Sequence, residues 1–417
     1  MGNGDRDRMI SRKILLMKEK SKIWMFLLEN DDIVEIHCTL ENGGGSNYAL
    51  GNVYIGKVKN IVPNIGAAFI EIDNKVECYY DMSQAENAIF THKSSQKPLC
   101  AGDELVVQIS KEAVKTKAPT VSSDLSFHGR YAILTSGNTR IGTSGKLPKA
   151  LRMDLKERLQ PLKNEEYGII IRTNAKEADF SDILEEINSL EKAYHEIKKT
   201  AQTRTCFSCL SQSSPSYISD LKNVYTEGLT EIIIEGEDLY REIRDYYEKE
   251  QPEDLDKLRH YDGSQLSLAN LYHTQPVLER ALGQRVWLKN GAYLVIQYTE
   301  ALTVIDVNSG KFVSKKNPLE TYLKINLEAA KEAAKQLRLR NLSGIIIVDF
   351  INLDDEAATQ ELLKAFRQHL TQDPIQATLV DVTELQLVEV TRKKSEDLCT
   401  RPASLNNDRY SNSPIFF

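Results

Sequence analysis

What most constrains this chain is a pair of strand-like runs, each carrying an aspartate, joined by a long amphipathic stretch. The first run is Leu302-Thr303-Val304-Ile305-Asp306-Val307-Asn308-Ser309-Gly310 and the second is Ile345-Ile346-Ile347-Val348-Asp349-Phe350. Between them Leu319, Leu323, Leu327, Ala330, Ala334 and Leu337 recur at three- and four-residue spacing, which predicts one apolar helical face, and Gly344 ends the pattern. Strand, helix and strand of this length form a crossover, so the two strands are expected to lie parallel and close. Each aspartate then falls towards the carboxyl end of its strand, where open α/β sheets carry their sites. Neighbouring strands are about 4.8 Å apart, near enough for two carboxylates to share one small hard cation such as magnesium. Asn308 adds a neutral oxygen or a hydrogen-bond donor at the same spot.

A plainer reading stands beside this one. An aspartate ending a strand is often a turn former or a helix N-cap. Two of them, each after a run too apolar to be left exposed, are harder to explain in that way, but residue chemistry alone leaves both readings open.

Composition narrows the class. With 417 residues the chain can form two to four domains, and 41% apolar and 27% charged residues are ordinary for a globular protein. No apolar run approaches the roughly eighteen residues of a membrane span. Residues 1–22 mix basic and acidic side chains without a long apolar core, so secretion is not expected. Six scattered cysteines suit a reducing compartment. The net charge of −7 argues against a nucleic-acid partner only if the charges are evenly spread. Three basic stretches (Lys111-Lys115-Lys117, Lys311-Lys315-Lys316, Arg392-Lys393-Lys394) read either as solvated loops or as phosphate-facing segments.

Along the chain, residues 11–38 read as strand or short helix, and Asn42-Gly43-Gly44-Gly45-Ser46-Asn47 as a flexible junction. Short strands at 52–62, 67–72, 76–80 and 104–110 suit a small barrel. Strands follow at 131–135 and 168–173, then a helix over 178–199. Cys206-Phe207-Ser208-Cys209 lacks a second cysteine pair for zinc and reads as a linker with the serines after it. Residues 220–261 read as helix, strand and helix. Val286-Trp287-Leu288, Lys289-Asn290-Gly291 and the run 292–298 predict a hairpin through the Asn-Gly pair, leading into the Asp306 strand.

Thr303-Val304-Ile305-Asp306-Val307-Asn308-Ser309-Gly310, Asn326-Leu327-Glu328-Ala329-Ala330, Gln336-Leu337-Arg338-Leu339-Arg340 and Gly344-Ile345-Ile346-Ile347-Val348-Asp349-Phe350 resemble the catalytic core of the ribonuclease E/G family. Gly51-Asn52-Val53-Tyr54-Ile55-Gly56-Lys57-Val58 with Ala67-Ala68-Phe69-Ile70 resembles its OB-fold RNA-binding domain, and Gly168-Ile169-Ile170-Ile171-Arg172-Thr173 its sensor of RNA 5′ ends. The resemblance runs in the family's order over nearly the whole chain.

It implies an α/β and β multidomain fold: an OB barrel inserted in an RNase H-like subdomain, a 5′-sensor region and a DNase I-like catalytic subdomain. The expected boundaries are 1–45 and 217–281 for the RNase H-like parts, 46–120 for the barrel, 121–216 for the sensor, 282–395 for the catalytic subdomain and 396–417 for a polar, disordered tail. The implied activity is cleavage of single-stranded, AU-rich RNA with magnesium, or manganese in its place, in the processing and decay of ribosomal and messenger RNA. Asp306 and Asp349 would bind the metal and Asn308 would orient the site. Tyr79 is expected to stack a base and Lys117 to hold phosphate, while Phe69 is either a second stacking ring or core. Arg172 and Thr173 offer a planar fork and a small hydroxyl to a terminal phosphate, with Gly129 and Ile133 as pocket wall. Lys146 stands where the family carries a pair of arginines. Only Cys399 follows at the family's C-P-x-C knuckle, so zinc is not expected and any homo-oligomer would form without it. Gln386 replaces a usual glycine. A non-catalytic RNA-binding scaffold on the same fold is the alternative function. The compact length and Ile, Lys and Asn-rich composition resemble plastid-encoded members, which favours a chloroplast stroma over a bacterial cytoplasm.

Overall fold

The computed structural model describes residues 10–41, 48–73, 76–113, 118–224, 227–299, 301–310 and 318–393. The chain forms two compact units. One combines the stretch ending at Glu41, Ser216–Leu221 and the stretch from Gly228 on; the other is Asn42–Pro215 with Lys222–Glu227. The architecture is mixed α/β with several sheets and a five-stranded barrel.

In the first unit, residues 12–40 form three consecutive antiparallel strands, Arg12–Glu19, Lys22–Glu29 and Asp32–Leu40. The helical alternative for this region fails because Lys22–Glu29 is buried along most of its length, as suits a central strand. Leu229–Glu235 and Leu258–Tyr261 extend this sheet by parallel pairing. The same unit holds a six-stranded sheet in the order Arg285–Trp287, Tyr293–Tyr298, Leu302–Asn308, Gly344–Asp349, Val388–Arg392, Ala377–Val382.

Only Leu302–Asn308 and Gly344–Asp349 pair in parallel within this six-stranded sheet, and the helix Pro318–Leu339 makes the crossover between them. That helix buries most of the expected stripe, with Ala330 and Leu337 in the core and Leu323, Leu327 and Ala334 packed partly against it, but the contact is centred on residues beside the leucines. Leu319 is 38% exposed, whereas Ile325, Ala329, Ala330, Ala333 and Leu337 are fully buried. Small alanines let the helix backbone approach the sheet closely, so Leu323 and Leu327 flank the contact while Leu337 lies within it. With the helix Glu356–Thr371 it covers one face, over Leu294, Ile296, Ile305, Ile346, Val348 and Val390.

The expected hairpin before the Asp306 strand is present, with Lys289, Asn290 and Gly291 in its loop. Gly291 has a positive φ (86°), and its N–H donates to the carbonyl of Leu288 at 3.1 Å, so the turn is closed by a glycine bulge. Gln386, at φ 63°, occupies the left-handed conformation that favours glycine, in the turn joining the last two strands.

The second unit holds the closed barrel. Val53–Val62, Ala67–Ile72, Val76–Asp81, Thr120–Ser122 and Glu104–Lys111 pair in turn, and Val53–Val62 closes on Glu104–Lys111. The segment read as a linker is an edge strand of this sheet: Cys209–Ser211 pairs with Val53–Val62, and Cys209 lies opposite Tyr54. Serine-rich composition concealed it, because an edge strand needs only one hydrogen-bonded side. A four-stranded sheet, Ser126–His128, Ala132–Thr135, Gly168–Ile171 and Ile141–Thr143, completes the unit with the helices Lys149–Leu159 and Phe180–Ala201.

Buried charge ties the first unit together. Arg338 donates to Glu35 at 2.7 Å and to Glu29 at 3.0 Å, and Arg12 also pairs with Glu29 at 2.8 Å. Arg392, expected within a basic loop, is 3% exposed and bonded to Asp373 at 2.6 Å. Its guanidinium closes the sheet edge and is not offered to a phosphate.

His37 lies between Glu35 at 3.5 Å and Asp220 at 3.7 Å. Burial alone would lower its pKa, but Asp220 and Glu35 outweigh that and push it up to about 9. Burial would likewise raise Glu35, yet His37 and Arg338 hold it at about 2. The His37 contribution is complete below its ordinary value of 6.5 and is lost as pH rises through about 9. That of Glu35 is complete above its ordinary 4.5 and is lost as pH falls towards 2. Unfolding stability should therefore decline between pH 6.5 and 9, and His37→Gln should flatten that slope in denaturant titrations across the range.

Candidate active site

Asp306 lies directly opposite Asp349 in the parallel pair, and both point away from the helix-covered face. The alternation that buries Ile305, Val307 and Val348 turns these aspartates and Asn308 outward. The Asn308 amide donates to the Asp306 carboxylate at 2.5 Å. Partial desolvation, and then the Asp306 charge, push the Asp349 carboxyl above its usual range although the residue is largely exposed. Among the described residues neither carboxylate has a basic partner. Two adjacent acids without a countercharge suit a cation. They form a pair only: no cluster of three or more His, Cys, Asp or Glu is placed for a metal among the described residues.

Residues around this pair that show in the sequence only as motif hold its frame. Asn326 is completely buried, donates to the carbonyl of Ile351 at 2.7 Å and accepts from the Ile351 N–H at 3.1 Å. This double bond pins the chain two residues beyond Asp349 to the crossover helix. Glu328 accepts from the Lys289 N–H at 2.6 Å, and Arg340 donates to the carbonyls of Gly283 and Arg280. A polar residue on the buried side of a helical pattern is the signal that could have revealed Asn326.

On the barrel, Phe69 and Tyr79 are cross-strand partners with ring centroids 6.5 Å apart, edge to face. Both are half-exposed, while Tyr80, pointing the other way, is fully buried and bonded to Ser123. Lys117, and with it Lys115, Lys311, Lys315, Lys316, Lys394 and the tail 396–417, lies outside the described residues.

The expected sensor residues are brought together. Arg172 follows the strand Gly168–Ile171 directly and donates to the Gly129 carbonyl and to Asn223, each at 2.6 Å. Thr173 shares a 2.9 Å hydrogen bond with Ser144, which brings the loop carrying exposed Lys146 beside it. Ile133 lies opposite Ile170, which is 36% exposed. Glu186, absent from the expected set, organises this corner: its carboxylate accepts from the N–H groups of Arg130, Tyr131 and Ala132 at 2.7–2.8 Å. Burial raises its pKa against the pull of those three bonds. A Cβ on Gly129 would come within 2.3 Å of the same carboxylate, so the glycine is what lets Glu186 reach the turn.

Comparison with known proteins places the chain in a family. The model of the "Ribonuclease E/G family" matches residues 126–395. "Ribonuclease G" of Salmonella typhimurium is 29% identical over 402 residues, covering 93% of this chain and 81% of that protein. "Ribonuclease E" of Synechocystis is 32% identical over 359 residues, 83% of this chain and 52% of that protein, and "Ribonuclease E" of Nostoc is 29% identical over 366 residues. The chain thus spans about half the length of those ribonuclease E relatives. By this homology the protein is an endoribonuclease. It belongs to the ribonuclease E/G family. Among the described residues no helix is long and apolar enough to cross a membrane.

Gly129→Ala should displace Glu186 and forfeit part of its three hydrogen bonds, lowering stability by about 1–3 kcal/mol. Because both changes break the same contact, the double variant with Glu186→Ala should cost less than the two singles summed, as measured by chemical denaturation.

Proposed function

We propose that the chain is a magnesium-dependent endoribonuclease that cuts single-stranded, AU-rich RNA and leaves a 5′-phosphate on the downstream product, acting in ribosomal and messenger RNA processing and decay. The observation that carries this reading is the direct pairing of Asp306 with Asp349, with no basic partner among the described residues. These two carboxylates would hold the metal, and Asn308 would fix the orientation of Asp306 through its amide. Magnesium, when bound, supplies positive charge where the scissile phosphate develops negative charge. Asn326 and the crossover helix keep the Asp349 strand end from moving relative to Asp306. Manganese would substitute for magnesium. No role is assigned to zinc.

The barrel is read as an OB-type RNA clamp, with Tyr79 stacking a base, Phe69 beside it and Lys117 contacting phosphate. The sheet bearing Arg172, Thr173, Ile133 and Gly129, with Lys146 on the neighbouring loop, is read as the 5′-end sensor. The sheets flanking the barrel in sequence are read as RNase H-like and DNase I-like subdomains. Gln386 stands at φ 63°, in the left-handed region that favours glycine, so the departure that kept the scaffold alternative in view falls in a turn and not among the acidic residues. A plastid stroma, with a bacterial cytoplasm as alternative, remains the favoured compartment on composition.

Asp306→Asn and Asp349→Asn should each slow cleavage by roughly a hundredfold or more, the scale of several kcal/mol of lost charge stabilisation. RNA affinity should barely change, since phosphate contacts elsewhere dominate it. Cleavage near the parent rate in both variants would overturn the metal assignment. Tyr79→Ala should weaken single-stranded RNA binding by about 1–3 kcal/mol in a filter or fluorescence titration. A 5′-monophosphorylated oligonucleotide should be cut faster than its 5′-hydroxyl twin, by the worth of a charge-assisted contact of about 1.5 kcal/mol, and Arg172→Ala should abolish the difference. Equal rates in the parent protein would remove the sensing role and leave the nuclease reading intact.

A further inference from the structure

The outward face of the six-stranded sheet carries a group of side chains that the cleavage chemistry does not use. Strand register fixes their place. Trp287 lies opposite Tyr293, which lies opposite Asn308; in the next row Arg285 lies opposite Val295, which lies opposite Asp306, itself opposite Asp349. Directly paired residues share a face, so the rings, the guanidinium and the acidic pair all look the same way.

The group is built for contact. Trp287 is 56% exposed, whereas the chain's other tryptophan, Trp24, is 7% exposed. The Trp287 and Tyr293 ring centroids are 5.0 Å apart at 57°. The Arg285 guanidinium carbon stands 4.5 Å from the Tyr293 centroid and 5.7 Å from that of Trp287. No carboxylate pairs with Arg285 among the described residues, so the rings hold the cation and its charge is not neutralised. From Arg285 to Asp306, and from Trp287 to Asn308, is two strand spacings, roughly 10 Å. No ion pair spans that gap among the described residues, because the Arg285 guanidinium is turned to the rings. The gap leaves room for a nucleotide lying across the face, with a phosphate over the aspartates and a base on the rings.

We propose that Arg285, Trp287 and Tyr293 form a nucleobase-stacking subsite for single-stranded RNA beside Asp306, Asn308 and Asp349, taking a base close to the cleaved phosphate. This rests on the reading of the aspartate pair as the cleavage site. Stacking tolerates any base because every base has a π-face, so the subsite positions the strand and selects against duplex, whose bases are already stacked. Arg285 adds a planar cation that stacks on a base or bonds a phosphate.

The test uses the full chain in chelator, so that no RNA is cut. Trp24 is buried, which leaves Trp287 as the tryptophan a bound base can quench. A short single-stranded oligoribonucleotide should quench the parent emission but not that of Trp287→Ala, which retains only Trp24. An abasic residue moved along the oligonucleotide should relieve quenching at one position. Trp287→Ala should weaken binding of that oligonucleotide roughly five- to a hundredfold, the worth of one stacked base, and Trp287→Phe should recover most of it. With the abasic oligonucleotide, parent and Trp287→Ala should bind alike. Unquenched emission at saturation, with affinity unchanged in Trp287→Ala, overturns the proposal. So does sedimentation showing that Trp287→Ala dissociates an oligomer while RNA affinity stays constant, since the face would then belong to a second copy of the chain. Cleavage by Asp306→Asn and Asp349→Asn separates the two readings: if both variants still cut, quenching at Trp287 establishes a stacking surface away from the cleavage site, and the subsite as placed is wrong. If both are inactive and no quenching occurs, the site stands and the subsite falls.

Discussion

Asp306 lies opposite Asp349 because the helix Pro318–Leu339 must carry the chain back over the sheet before the second strand can begin. A crossover leaves the strands parallel, and parallel neighbours place like positions side by side. Two carboxylates are thereby brought within mutual repulsion, which adds to partial desolvation in raising the Asp349 carboxyl. The surrounding fold resists relaxation of that repulsion. Alanines at the helix–sheet contact allow close approach, and Asn326 grips Ile351 through both donor and acceptor. The acidic pair is thus held by Asn308 in direct contact and, from a distance, by groups that never touch it.

Charge in this protein is sorted by role. Arg12, Arg338, Arg340 and Arg392 are buried and committed to carboxylates or carbonyls. Removing one partner from such a pair leaves a buried charge uncompensated, so these groups stabilise the fold only as complete sets. Arg285 contrasts with them, exposed on the sheet face and, among the described residues, held by aromatic rings without a carboxylate. The net charge of −7 therefore conceals a division between structural cations and those left for a ligand.

The corner around Arg172 shows the same economy in another form. Glu186 spends its carboxylate on three consecutive backbone N–H groups, which sets the turn whose carbonyl receives Arg172. Gly129 is required there by space, since its φ is ordinary and the obstacle is the Glu186 side chain.

Periodicity and motif order were enough to expose the two aspartate strands, the long helix between them, the main barrel strands and the hairpin before Asp306, because these are local patterns with a strong apolar signal. The edge strand Cys209–Ser211 escaped because its partner lies far away in sequence and one bonded side suffices to hold it. The apolar stripe of the crossover helix was legible except at its start, where Leu319 stays exposed, and it missed Ile325, Ala329 and Ala333 because leucine spacing reports hydrophobicity and not the distance at which backbones pack. Arg392 looked like a loop cation until its partner, Asp373, was brought to it by the closing strand pair. By itself the sequence determined which residues could serve as acids, rings and forks, and that two of the acids would end neighbouring strands. Tertiary structure alone decided which cations are used up inside, and that Trp287, Tyr293 and Arg285 share a face with the acidic pair. Those outcomes depend on strand register and burial, which arise only when distant segments pack together.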